Sequence, residues 1–146
     1  MFMILLKRLL SIIKKPPEMK SKLSQKSLDK LVGVKQPLID VVALASSIST
    51  VDFQIIHGLR TKEEEAQYVA CGKSETMDSR HITGDAIDFA VLVNGEIDWK
   101  DISLYNTVAE SFKQASEQLR TPIVWGGDWT TLKDFGHVEL NRKFYP

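Results

Sequence analysis

The stretch Ala86-Ile87-Asp88-Phe89-Ala90-Val91-Leu92-Val93-Asn94-Gly95-Glu96-Ile97-Asp98 decides the fold. Its first eight residues read as a strand. Asn94-Gly95 suits a two-residue hairpin turn, because both central positions of that turn need positive φ. The strand therefore returns through Glu96-Ile97-Asp98, and the sheet that contains it is antiparallel. Upstream, Phe53-Gln54-Ile55-Ile56 is a strand ending at His57-Gly58-Leu59-Arg60. Downstream, Pro122-Ile123-Val124-Trp125 and His137-Val138-Glu139-Leu140 are two more short strands. Helices fall between them. Pro37 fits a first helical turn, and Leu38, Val41, Val42, Ala45 and Ile48 follow at helical spacing. Thr61 with Glu64 forms a capping box that opens a helix from Lys62 to Cys71. Leu104, Val108, Phe112, Ala115 and Leu119 mark a long amphipathic helix. The order implies an α+β protein, a small antiparallel sheet flanked by helices.

A chain of 146 residues with 43% hydrophobic and 26% charged residues is one globular domain with a real core. The net charge of zero hides an asymmetry. Residues 1–39 hold nine Lys/Arg against Glu18 and Asp29, a net of +7; the other ten Lys/Arg and seventeen acids leave residues 40–146 at −7. No stretch reaches the roughly 18–20 apolar residues that span a bilayer. Over residues 1–15, Lys7, Arg8, Ser11, Lys14 and Lys15 share one helical face and Phe2, Leu5, Leu6, Leu9, Leu10, Ile12 and Ile13 take the rest. This amino-terminal basic amphipathic helix suits an anionic membrane surface; an export or anchor signal, or docking on the domain, are its other readings. Pro16-Pro17 ends it. Residues 16–26 read as a linker, the Lys/Ser-rich run through Lys30 as a tether, and the folded domain as residues 27–146. The single cysteine, Cys71, excludes an intrachain disulfide and a cysteine-rich metal site, and is expected to be a small buried residue.

Any metal must then be held by histidine and carboxylate. His81 and Asp88 lie seven residues apart with Gly84 to turn the chain between them, and His137 opens another strand. Imidazole nitrogen and carboxylate oxygen are ordinary zinc donors, and three of them leave a fourth position for water. Ala86 shares a strand face with Asp88 and is small enough to leave room. A hydrolytic site also needs a base. Asp134, three residues before His137, stands slightly ahead of Glu139, which shares the face of His137, and of Asp128, which fits a local loop role equally well. Arg60 closes a strand and either steadies an oxyanion or pairs with an acid. His57 is a fourth ligand or, as is more usual at a strand end, structural. Glu63-Glu64-Glu65 complements a helix dipole. Trp99 and Trp125 are expected to pack, whereas Trp129, in a glycine-flanked loop, has the best claim to line a cleft.

Taken together, Ser79-x-His81-x-x-Gly84-x-Ala86-x-Asp88, the block Trp125-Gly126-Gly127-Asp128-Trp129 and Asp134-x-x-His137-x-Glu139-Leu140 resemble the D-alanyl-D-alanine carboxypeptidase and L-alanyl-D-glutamate endopeptidase family. These are zinc peptidases of bacterial cell walls, several of them phage endolysins. The likeness runs from about Ser27 to Leu140, includes Gly58-Leu59-Arg60-Thr61, and is nearest to the endopeptidase branch. It implies the α+β fold shared with the hedgehog amino-terminal domain. It also implies Zn2+ held by His81, Asp88 and His137, Asp134 as catalytic acid/base, Arg60 at the substrate carbonyl or oxyanion, and Ser79 near substrate. The basic amino-terminal helix departs from that pattern, and no wall-binding module is seen.

The expected function is hydrolysis of the L-Ala–D-Glu bond in peptidoglycan stem peptide by an endolysin made in the cytoplasm and acting on the wall. A D-Ala–D-Ala carboxypeptidase using the same zinc site, a non-catalytic zinc domain that binds the wall, and membrane disruption by the amino-terminal helix are the alternatives. A monomer is expected, without a nucleic-acid partner.

Overall fold

The computed structural model describes residues 21–146 of the chain. The amino-terminal helix expected over residues 1–15 lies outside them. The described elements are α1 (Gln25–Lys30), α2 (Gln36–Ile48), β1 (Phe53–His57), α3 (Lys62–Ala70), β2 (Ala86–Val93), β3 (Glu96–Asp98), α4 (Ile102–Leu119), β4 (Ile123–Trp125), a 3₁₀ turn (Gly126–Asp128) and β5 (His137–Leu140). The strands form one antiparallel sheet in the order β1-β2-β5-β4, with β3 also paired to β2. Asn94 and Gly95 take φ of 53° and 80°, as the hairpin requires.

Alternation along the strands gives this sheet two different faces. Ile87, Phe89 and Val91 of β2 and Val138 and Leu140 of β5 enter the core against α2 and α4. Phe89 is its centre. Its ring lies 5.3 Å from Phe112, 5.6 Å from Tyr105 and 5.8 Å from Phe53, measured between centroids. The intervening residues, Asp88 on β2 and His137 and Glu139 on β5, take the opposite face. The same strands thus carry core and site.

The tether reading ends too late in the chain. Ser24 caps α1 by accepting from the Ser27 N–H, and Lys30 closes the helix. Ser27 is fully buried, and its Oγ accepts the Ile55 N–H at 3.0 Å. That bond satisfies an edge-strand donor, so α1 covers the edge of β1. Even residues of the expected linker are tied down: Lys22 N–H reaches Ser46 Oγ at 3.3 Å, and Leu23 packs against the core. Cys71 also departs from expectation. It is exposed, because α3 presents mostly polar residues and ends just before it.

Gly136 is where β5 can come close to β2. Its carbonyl accepts the Phe89 N–H at 2.8 Å, and a Cβ placed on it would stand 2.5 Å from the Phe89 carbonyl oxygen. Backbone cannot swing aside as a side-chain end can. Gly136→Ala should therefore lower stability by about 1–3 kcal/mol, read as a lower urea midpoint at unchanged m-value. A midpoint equal to wild type would show that the two strands can separate without cost.

Candidate active site

The central strand organises the site through register. Asp88 is opposite His137 on β5 and opposite His57 on β1. The β1–β2 ladder runs Ile55↔Phe89 and then His57↔Asp88, so β1 carries an extra residue there. This bulge delivers His57 to Asp88. His81 comes from the turn before β2, which reverses at Gly84 with φ of 76°; a Cβ at Gly84 would meet the Gly33 carbonyl at 2.7 Å.

Asp88 thus receives three imidazoles. Its Oδ2 is 3.1 Å from His57 Nδ1 and 3.2 Å from His81 Nε2, and its Oδ1 is 3.1 Å from His137 Nδ1. The donor atoms of His81, Asp88 and His137 all lie within 4.8 Å of one another. Their orientation suits a cation. His81 Nδ1 donates to the Gly58 carbonyl at 2.9 Å, which orients the ring and turns Nε2 into the site. His137 Nε2 is held by Glu139 Oε1 at 3.3 Å, leaving Nδ1 toward Asp88. Two imidazole nitrogens and one carboxylate oxygen, each oriented by a further hydrogen bond or neighbour, form a three-donor set that could hold a metal ion. His57 is more exposed than the other two histidines and touches Tyr68 Oη through Nε2 at 3.4 Å. It orients Asp88 from outside the three-donor group.

The expected site residues converge on one cleft of about 480 Å³: Arg60, Ser79, His81, Asp88, Trp129, Asp134 and His137 all line it. Asp134 stands on its wall, with its backbone N–H on the Gly126 carbonyl and its Oδ1 accepting the Gly136 N–H at 3.3 Å. Trp129 lays its ring 5.1 Å from that of His137. Ser79 shapes the His81 turn, its Oγ accepting the His81 N–H at 3.3 Å. Arg60 is buried and takes the acid-pairing role that its position allowed. Nη1 pairs with Glu65 at 2.8 Å, while Nη2 lies 3.9 Å from Asp88 Oδ2.

Glu65 was not legible as a site residue. Within Glu63-Glu64-Glu65 it is the one buried member, held by Arg60 and by the Ser74 hydroxyl. Burial opposes its charge, yet those hydrogen bonds keep its pKa below the ordinary value. The Arg60 guanidinium also lies over the Tyr68 ring at 4.3 Å. Arg80 is a second residue the sequence did not single out. Buried between Ser79 and His81, it donates to the Leu140 and Tyr145 carbonyls at 3.1 and 2.7 Å and approaches Asp85 and Glu139 at 3.4 Å. Apart from Asp85, its partners are some 60 residues away in sequence, so no local signal marks it. Asp128 is removed as a candidate base: its carboxylate pairs with Lys113 at 3.0 Å, outside the cleft. Trp125 packs as expected, donating to the Phe135 carbonyl at 2.8 Å. Trp99 does not pack; 64% of it is exposed.

These charges set each other's protonation. Burial pushes the Asp88 pKa up, but hydrogen bonds from His137, His57 and His81 outweigh it and hold Asp88 well below the usual carboxylate range. Burial pushes His137 down, but Asp88 and Glu139 outweigh that and raise it to about 9. Asp134 is exposed as a residue, yet desolvation of its carboxyl and the nearby Asp88 charge raise its pKa, against the pull of His137.

A two-faced antiparallel sheet with a three-donor His/Asp group and a spare carboxylate in one cleft is a frame that could hold a metal ion beside a proton acceptor. Similarity to known proteins gives the family. Residues 19–146 match the family described as phage L-alanyl-D-glutamate peptidase, and the chain belongs to that family, making it a peptidase. It is 40% identical over 130 residues to the L-alanyl-D-glutamate peptidase of Escherichia phage T5, covering 87% of this chain and 94% of that one. The enzyme of the same name from Listeria phage A118 is 32% identical over 100 residues, 68% of this chain and 34% of its own. Among solved structures, the Serratia marcescens L-Ala D-Glu endopeptidase ChiX superposes with a TM-score of 0.80 at 32% identity, over 89% of this chain and 98% of that one.

The raised pKa of His137 has a thermodynamic consequence. Its folded value of about 9 lies above its ordinary 6.5, so the metal-free chain gains stability that is complete below pH 6.5 and lost as pH rises through 9. A metal held at Nδ1 would take the place of that proton. The chelated protein should therefore lose Tm between pH 7 and 9.5, and zinc uptake at pH 7.5 should release close to one proton per ion, read by calorimetry in buffers of different ionisation enthalpy. Uptake without proton release would contradict the assignment of His137 Nδ1 as a donor.

Proposed function

We propose that this protein hydrolyses the L-Ala–D-Glu bond of the peptidoglycan stem peptide, with Zn2+ held by His81 Nε2, Asp88 and His137 Nδ1. The observation that carries the reading is the mutual approach of those three donors beside Asp134 in one cleft, in a chain of this peptidase family. Zinc bound there supplies Lewis-acid polarisation of a carbonyl and a water of lowered pKa. The chain's own residues do the rest. Asp134, on the wall of the same cleft, accepts the proton of the attacking water and returns it to the departing amide nitrogen. Arg60 directs Nη2 toward the carbonyl oxygen as negative charge grows on it, while Glu65 holds the guanidinium still. Glu139 keeps the His137 ring in its tautomer. Ser79 and Trp129 border the bound peptide, Ser79 through the turn that sets His81 and Trp129 through its contact with His137.

Asp134→Ala should lower kcat by about 10²–10⁴-fold while zinc content and fold stay those of wild type, and chelation should abolish turnover reversibly. Mass spectrometry of digested peptidoglycan reads the bond: new amino termini on D-Glu support the proposal, and released D-alanine contradicts it. Full activity in the Asp134→Ala protein would remove Asp134 from the mechanism.

The basic amphipathic pattern of residues 1–15 supports contact with an anionic membrane surface, separate from the wall-cutting site. Among the described residues no helix is long and apolar enough to cross a membrane. Deleting residues 1–20 should abolish co-sedimentation with anionic vesicles and leave hydrolysis of purified wall intact; unchanged vesicle binding would reject the membrane role.

A further inference from the structure

A second groove of about 380 Å³ adjoins the cleft, and the two share His57, Asp88 and Asp134 as a common wall. The reacting centre therefore stands at a boundary, with one depression on each side. The two sides differ in chemistry. The larger cleft carries Lys73, Arg80 and Arg142 among its lining residues, together with Glu75 and Asp78. The second groove is lined by Ile56 and Phe135 and edged by Trp99 and Ile102, with Lys133 as its one added charge beyond the shared wall.

Trp99 and Ile102 are 64% and 48% exposed, at positions where neither serves the core. The turn that presents Trp99 is nevertheless fixed. Asp98 Oδ1 accepts the N–H groups of Lys100 and Asp101 at 2.8 and 3.0 Å. The Asp98 carbonyl accepts the buried Tyr105 hydroxyl at 2.9 Å, and Asp101 caps α4. A large aromatic ring held in water on a rigid turn at a groove edge is preorganised to cover an apolar face of a ligand.

Resting on the function proposed above, we infer that the Trp99–Ile102 groove is the subsite for the glycan-bearing side of the substrate. Upstream of the scissile bond, the stem peptide offers an alanine methyl and then a lactyl-substituted amino sugar, neither of which is charged. Downstream it offers the D-Glu carboxylate and further charged groups. An uncharged, partly apolar half fits the groove edged by Trp99, and a half carrying charged groups fits the cleft, whose lining holds both signs, with Lys73 beside Glu75 and Arg142 at 3.4 Å from Asp78. Continuity across Asp88 and Asp134 allows a single substrate to occupy both. Trp99 then acts as a specificity residue that stacks on the sugar ring.

The test compares two substrates: a stem peptide carrying its disaccharide, and the same peptide with an acetyl group in place of the sugar. In Trp99→Ala, the ratio of kcat/KM for the sugar-bearing over the sugar-free substrate should fall about tenfold, with Trp99→Phe restoring part of it. An unchanged ratio overturns the subsite, including the case in which both substrates are lost together. A fall in the ratio traced to loss of a wild-type dimer in sedimentation also overturns it. Wild-type protein that cleaves neither substrate defeats the bond assignment instead, so the two failures are distinct.

Discussion

The Asp88 carboxylate is the interaction on which the rest of the site depends. It sits on the middle of three strands, mostly withdrawn from water, and an anion there is costly unless it is paired. Three histidines and the Arg60 guanidinium supply the pairing, from β1, β5, the turn before β2 and the segment after β1. Each partner is held in turn by a further group. Gly58 holds His81, Glu139 holds His137, Tyr68 holds His57 and Glu65 holds Arg60. Removing any one of these would leave the carboxylate in place but loosen the direction from which its partner approaches.

That arrangement is possible because the sheet keeps its two duties on opposite faces. Phe89 and Asp88 are neighbours in sequence, one at the centre of an aromatic cluster and the other at the centre of a polar one. The rigidity of the first is passed directly to the second. Close approach at Gly136 keeps β5 against β2, so the His137–Asp88 distance is set by backbone packing rather than by the two side chains alone. A site built on paired strands in this way is preorganised more firmly than one assembled from loops.

Much of this was legible because it depends on period and turn chemistry. Asn94-Gly95, the alternation of Ala86–Val93 and the Thr61 cap identify their elements locally, and the Thr61 Oγ1 does accept the Glu64 N–H at 3.0 Å. The ligand trio was suggested by strand-edge histidines and by resemblance, and the structure brings its members together. What was not legible is what depends on contacts between distant segments. The burial of Ser27 follows from its bond to Ile55, the role of Glu65 from Arg60, and that of Arg80 from the carbonyls of Leu140 and Tyr145. A serine in a Lys/Ser-rich run, a glutamate in an acidic triplet and an arginine in a turn each look like solvated surface until a partner from elsewhere in the fold is known. Trp99 is the reverse case: an aromatic residue expected to pack is held out in water by hydrogen bonds to the polar residue beside it.

The charge pattern is one that a dication at the trio would meet better than a proton. Arg60 and Glu65 neutralise one another, and Lys35 at 2.9 Å from Asp85 offsets part of the charge beside Arg80. Asp88, Glu139 and Asp134 remain as the acids nearest the histidines. Hydrogen bonds to Asp88 and Glu139 hold a proton on His137 against its burial, while burial and then the nearby Asp88 charge push the Asp134 carboxyl up. Two positive charges at the Asp88 position would offset more of these acids' charge from one point. With such an ion bound, the Asp88 charge would weigh less on the Asp134 carboxyl that lines the same cleft.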